Sequence, residues 1–238
     1  MRPFGQAVDL DLDFARLDRP GLVTDVLAHC AGDSTPAFWW SRPVGERTAA
    51  LVRLVTLTEP REHISLSARC VATGCDELFE FELSWRSLPE CSMDTDPVQV
   101  DLADGRAVTL RRPTGADLQR WRDARPASKA DALRTMLKSL VMDGQAGPED
   151  EHTVAAALAD ADPLVDFTVS CRCPACDRPN EVAVDIEALA LARLRSRQRA
   201  ILDDVHQLAS HYGWTEVEVM AVPPARRARY IALIEANR

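Results

Sequence analysis

Lysine is almost missing from this chain: of 28 basic residues only Lys129 and Lys138 are lysine, and the rest are arginine. The bias reads first as genomic base composition. Positive charge is also in deficit, with 37 acidic residues and a net charge of -9. That balance disfavours broad attachment to nucleic acid or anionic lipid, because affinity for phosphates rests on cations. No apolar run approaches the roughly 20 residues that span a bilayer, so no membrane segment is expected. The N-terminal stretch MRPFGQAVDLDLDFARL alternates acidic and apolar residues. It lacks the basic-then-apolar layout of a secretory signal, and a cytoplasmic location is the expectation. There, cysteines are thiols or metal ligands more often than disulfides. No GxSxG, Walker A, GxGxxG or HExxH pattern occurs, which removes the common signatures of hydrolases, nucleotide-binding enzymes and zincins. The expectation is a protein that is not an enzyme.

The 238 residues, 46% hydrophobic and 27% charged, are enough for one large or two small domains with an ordinary core. Residues 1–60 read as an N-terminal helical segment. A helix starts at Pro20-Gly21 with Leu22, Val23, Val26 and Leu27 on one side, and a second covers residues 46–57. Residues 61–112 change period. Ile64, Leu66, Ala68 and Cys70 alternate with polar residues, ELFEFELSW alternates again, and VQVDLADGRAVTL gives a hairpin about Asp104-Gly105. Residues 113–162 read as a helical insertion in three pieces, ADLQRWRDA, SKADALRTMLKSLVM and EDEHTVAAALADAD. Alternation returns over residues 163–189, and residues 190–238 form a helical tail with a Thr215/Glu218 capping box.

Sliding the sequence on itself by 101 residues lays Ile64–Leu88 on Val165–Leu189 without a gap. Five of these 25 positions are identical: Cys70/Cys171, Cys75/Cys176, Asp76/Asp177, Glu80/Glu181 and Leu88/Leu189. The apolar phases agree as well, as in Leu66/Phe167 and Ala68/Val169. The fold class expected is therefore α+β, with a duplicated β-knuckle-β element of zinc-ribbon type around an inserted helical block and a C-terminal helical tail.

Two knuckles, each offering two thiolates, supply the four tetrahedral ligands that a structural zinc ion takes. The expected ligands are Cys70, Cys75, Cys173 and Cys176, with Cys171 as the alternative to Cys173. The competing readings are buried free cysteines and a redox CxxC. The redox motif opens a helix in thioredoxins, whereas here RPNEVAVDI continues as a strand. Cys30 and Cys91 have no counterparts and read as plain thiols. His206 and His211, five apart on a helix, are rotated away from zincin geometry, and all five histidines read as surface or core residues. Trp39, Trp40 and Trp214 read as packing residues before interface anchors, and Arg226, Arg227 and Arg229 as a solvated helix face.

The run RCVATGC, then FEFELSW, then VQVDLADGRAVTLRRPTGADL resembles the baseplate hub and hub-assembly proteins of T-even-type contractile phages and of related injection systems. The closing LASHYGWTEVEVMAVPPARRARYIALI is similar to helical tails encoded among phage tail genes. The resemblance covers residues 45–238 and implies a non-enzymatic structural or assembly protein of a contractile tail, partnered by other baseplate and tail proteins. It leaves homo-oligomerisation open. The second knuckle exceeds the shorter members of that family. The rival reading from the residues is a zinc-ribbon regulator that binds nucleic acid, against which the acidic charge counts. A third is a thiol oxidoreductase or zinc hydrolase.

Overall fold

A computed structural model describes residues 1–32, 34–90, 97–103 and 105–236. Cys91 and Asp104 lie outside the described residues. Three helices come first: α1 (Arg19–Cys30), α2 (Pro36–Ser41) and α3 (Val44–Thr58). Asp18 caps α1 by accepting from the Gly21 N–H, and Thr35 caps α2 by accepting from the Phe38 N–H; each helix has proline in its first turn, where a missing N–H costs nothing. α2 was not expected from the sequence. Its six residues, PAFWWS, are too few to show a period.

Two antiparallel strands follow, β1 (His63–Arg69) and β2 (Leu78–Ser84). They alternate buried and exposed residues as the two-residue period requires. The next hairpin, β3 (Val98–Asp101) with β4 (Ala107–Leu110), leads to α4 (Gly115–Ala124) and α5 (Lys129–Leu140). α4 opens with a capping box of Thr114 and Asp117. Burial raises the Asp117 carboxyl pKa, but Arg111, the Thr114 N–H and hydroxyl and Arg120 outweigh it and hold the group well below the ordinary carboxylate range.

The expected helix over residues 128–142 ends two residues early. Val141 and Met142 belong instead to β5 (Val141–Asp143), which pairs antiparallel with β4 and makes a three-stranded sheet. A β-branched residue beside an open strand edge takes the ladder in preference to another half-turn of helix. The insertion is completed by α6 (Glu151–Ala161). The second short sheet pairs β6 (Thr168–Arg172) with β7 (Pro179–Ala183). The 27-residue α7 (Ile186–Tyr212), α8 (Glu216–Ala221) and α9 (Pro224–Ala236) end the described chain.

The architecture is mixed α and β with small sheets, as the α+β expectation required. Among the described residues the buried side chains gather in four clusters. One core joins α1, α2 and α3 to both short hairpins and to the first half of α7, through Leu27, Leu51, Leu54, Ile64, Leu83 and Leu194. Gln198 of α7 ties in the N-terminus by donating to the carbonyls of Asp9, Leu10 and Leu12. A second core, with Val100, Val108, Leu110, Leu137, Leu140 and Val154, places β3 and β4 with α5 and α6. The second hairpin thus buries its apolar face against the helices of residues 113–162. A further small core of Leu208, Val219 and Ile234 joins the end of α7 to α8 and α9, and a fourth surrounds the cysteines of the two short hairpins. Among the described residues no helix is long and apolar enough to cross a membrane.

Candidate metal centre

Four cysteines from the two short hairpins meet at one point. The sulfurs of Cys70, Cys75, Cys173 and Cys176 all lie within 4.8 Å of one another. Cys70 Sγ is 3.7 Å from Cys176 Sγ, and Cys75 Sγ is 3.7 Å from Cys173 Sγ. An ion bound at about 2.3 Å by four thiolates in a tetrahedron separates neighbouring sulfurs by about 3.8 Å, so the spacing fits one shared soft metal ion. Each knuckle supplies one sulfur to each close pair. Any ion held here ties hairpin to hairpin across the inserted residues. Among the described residues this is the one cluster of three or more cysteine, histidine or carboxylate groups placed to share a metal.

The knuckles are built by strand ends that turn sharply. Cys70 N–H donates to the Glu77 carbonyl and Cys173 N–H to the Arg178 carbonyl, closing each β-hairpin immediately before its loop. Asp76 and Asp177 then turn the chain with φ of 53° and 55°, a region that aspartate tolerates better than most residues. Arg69 reaches the Asp76 carbonyl at 3.0 Å and carboxylate at 3.2 Å, while Arg172 reaches the corresponding Asp177 groups at 2.8 Å and 3.2 Å. The loop of the first knuckle is two residues longer, and Gly74 absorbs the extra turn at φ 83°.

These contacts correct the gapless superposition. The strand register pairs Ala68 with Phe79 and Cys171 with Asn180, and Arg69 with Leu78 and Arg172 with Pro179. Cys173 therefore occupies the place of Cys70, and Cys171 the place of Ala68. Leu66 corresponds to Val169, where the gapless alignment had Phe167. A two-residue offset preserves the in-and-out phase of a strand, which is why the uncorrected alignment gave acceptable phases with the wrong partners. Cys171 stands outside the four-sulfur cluster, with its sulfur 3.8 Å from the Asn180 carbonyl. Burial, then Glu181 and Cys173, push its thiol pKa up.

Within the cluster the backbone favours ionised sulfur at one position. The Ala72 N–H pulls the Cys70 thiol down to about 7 against some burial, helped by the sulfurs of Cys176 and Cys173 and by Asn180. Cys75 takes a hydrogen bond from the Glu77 N–H, yet the neighbouring sulfurs of Cys176, Cys173 and Cys70 hold its proton and push it up to about 12. The two values belong to one coupled group that loses protons in sequence as charge accumulates. A bound cation removes that accumulation.

Asn180 was missed in the sequence. Its side chain is buried, accepting from the Val71 N–H of the opposite knuckle at 2.9 Å and donating to the Arg178 carbonyl at 3.0 Å. The available signal was a polar residue at the strand phase where its counterpart is Phe79. Phe79, Phe81, Ala68 and Val182 pack with these cysteines in one small apolar cluster. Cys30 lies apart, beside Asp9 beneath the N-terminus, its thiol pushed up to about 12 by burial and then by the Asp9 carboxylate. His206 and His211 are exposed on α7. Trp39 is buried in the first core, and Trp214 stacks on Tyr212 at 5.0 Å. Arg227, expected in solvent, is buried and donates to Met220 Sδ, because it lies on the side of α9 that faces α7.

No family model, curated protein or solved structure matches this chain.

Proposed function

We propose that the chain is a non-enzymatic structural or assembly protein of a contractile phage tail or injection-system baseplate, in which one zinc ion staples a duplicated β-knuckle-β element. The observation that carries the zinc reading is the meeting of four cysteines, two from each hairpin, at tetrahedral spacing. Sulfur donors select zinc over the hard cations magnesium and calcium. Four thiolates also fill a tetrahedral ion and leave no position for water, which favours a structural over a catalytic role. The common knuckle geometry, with matched Arg69–Asp76 and Arg172–Asp177 contacts, supports duplication.

The baseplate reading rests on the sequence motifs RCVATGC, FEFELSW and VQVDLADGRAVTLRRPTGADL and on the tail motif. Elemental analysis of the purified chain is expected to give one zinc per molecule, lost when Cys173 is replaced by serine; a metal-free chain grown with ample zinc overturns the zinc reading. Deletion of the gene in its source is expected to leave sheath and tube proteins in place while particles lack a finished baseplate, seen by electron microscopy. Normal particles overturn the assembly role. A salt-sensitive gel shift with DNA would favour the regulator instead.

A further inference from the structure

Two surfaces of the molecule, neither part of the cysteine cluster, are complementary in charge and both apolar in part. The first is a groove. A cavity of about 330 Å³ lies among α4, α5 and α6, with an apolar lining that includes Trp121, Leu133, Leu137 and Leu158. It shares the wall of Val165 and Asp166 with a second cavity of about 540 Å³, which continues to Asp185 and Glu187 at the start of α7. Carboxylates outnumber cations along this rim: Arg19 bridges Asp185 and Glu187, Lys129 bridges Glu151, and Asp166 adds a further negative charge.

The second surface is the outer side of α9. Ile234 and Arg227 face α7, which turns Arg226, Arg229 and Leu233, at the i, i+3, i+7 spacing of one helical stripe, outward. Leu233 is 54% exposed, and the alanines at 225, 228 and 232 leave the stripe shallow enough for close approach. This basic and apolar face suits an acidic-rimmed apolar groove. It cannot reach the groove of its own chain. α9 packs on α7 near Asp204 and Leu208, about 30 Å along the helix from Asp185 at 1.5 Å per residue.

We propose that α9 of one copy seats in the groove of a second copy, so that the chains associate head to tail. Because groove and tail are different surfaces, the contact is heterologous and propagates into a ring or a linear chain. The inference is independent of the zinc and baseplate readings.

Sedimentation of the full-length chain is expected to show association that grows with concentration and weakens several-fold when salt rises from 50 to 500 mM, because the rim charges are screened. Two double variants sharpen the test: a tail variant, Arg229→Glu with Leu233→Asp, and a groove variant, Glu151→Arg with Asp166→Arg. Each is expected to be monomeric alone, with unchanged circular dichroism. Mixed, they are expected to form dimers and nothing larger, because each retains one intact surface. A wild-type chain that stays monomeric at high concentration overturns the proposal. So does a mixture that stays monomeric, or either variant associating as the wild type does.

Discussion

The two cysteine hairpins share a backbone plan and differ in what they place on it. Both close on a backbone bond from the first cysteine, turn through an aspartate at positive φ, and bring an arginine back to that aspartate. The first uses four residues between its cysteines and the second two. At the equivalent position of the returning strand, the first buries Phe79 and the second Asn180. One hairpin thus contributes apolar packing and the other a hydrogen-bonded brace to its partner's loop. Equivalence follows hydrogen-bond register: by register Cys173 replaces Cys70, and Cys171 is a strand residue that happens to be cysteine.

The largest expected effect tests that equivalence directly. Cys70→Ser and Cys173→Ser are each expected to release the metal and lower stability by more than about 4 kcal/mol, a fall in Tm of ~10 °C or more. Cys171→Ser is expected to retain stoichiometric zinc and change stability by less than about 1 kcal/mol. The reverse result, read by elemental analysis and calorimetry, would restore the gapless pairing. Next, Phe79→Ala is expected to cost about 3 kcal/mol in urea unfolding, because its buried ring leaves a cavity between the hairpins.

Asn180→Ala is expected to cost about 1 to 2 kcal/mol, since it leaves the Val71 N–H without its acceptor. Faster hydrogen exchange at the Val71 amide, with zinc still bound, checks the cause. An equal cost for the Phe79 and Asn180 changes, with no local exchange effect, would remove the division of labour proposed for them. Gly74→Ala is expected to cost about 1 kcal/mol. A Cβ there meets nothing within 4 Å, so the penalty comes from the positive φ alone. Arg69→Ala and Arg172→Ala should change stability by no more than ~0.5 kcal/mol, as exposed ion pairs do.

Much of this was legible along the chain. The strand phases, the capping box of Thr215, the long α7 and the paired cysteines are all short-range patterns, set by local backbone geometry and periodicity. The two-residue α5 overrun, α2 and the burial of Arg227 were not. α2 is too short to show a period, and the other two depend on what lies opposite: an open strand edge for Val141, the surface of α7 for Arg227. The choice between Cys171 and Cys173 was of the same kind, since a period of two cannot reveal a two-residue offset.

The alternation of helices with short hairpins and the two cysteine knuckles follow from local sequence, because periodicity, caps and turns are written within a few residues. Long-range packing settles the choice of Cys173 over Cys171, the contact of the second hairpin with the insertion, and the outward face of α9 with Arg229 and Leu233. Those outcomes depend on hydrogen-bond register and on burial between distant segments, 106 residues apart for Cys70 and Cys176, and no local pattern encodes them.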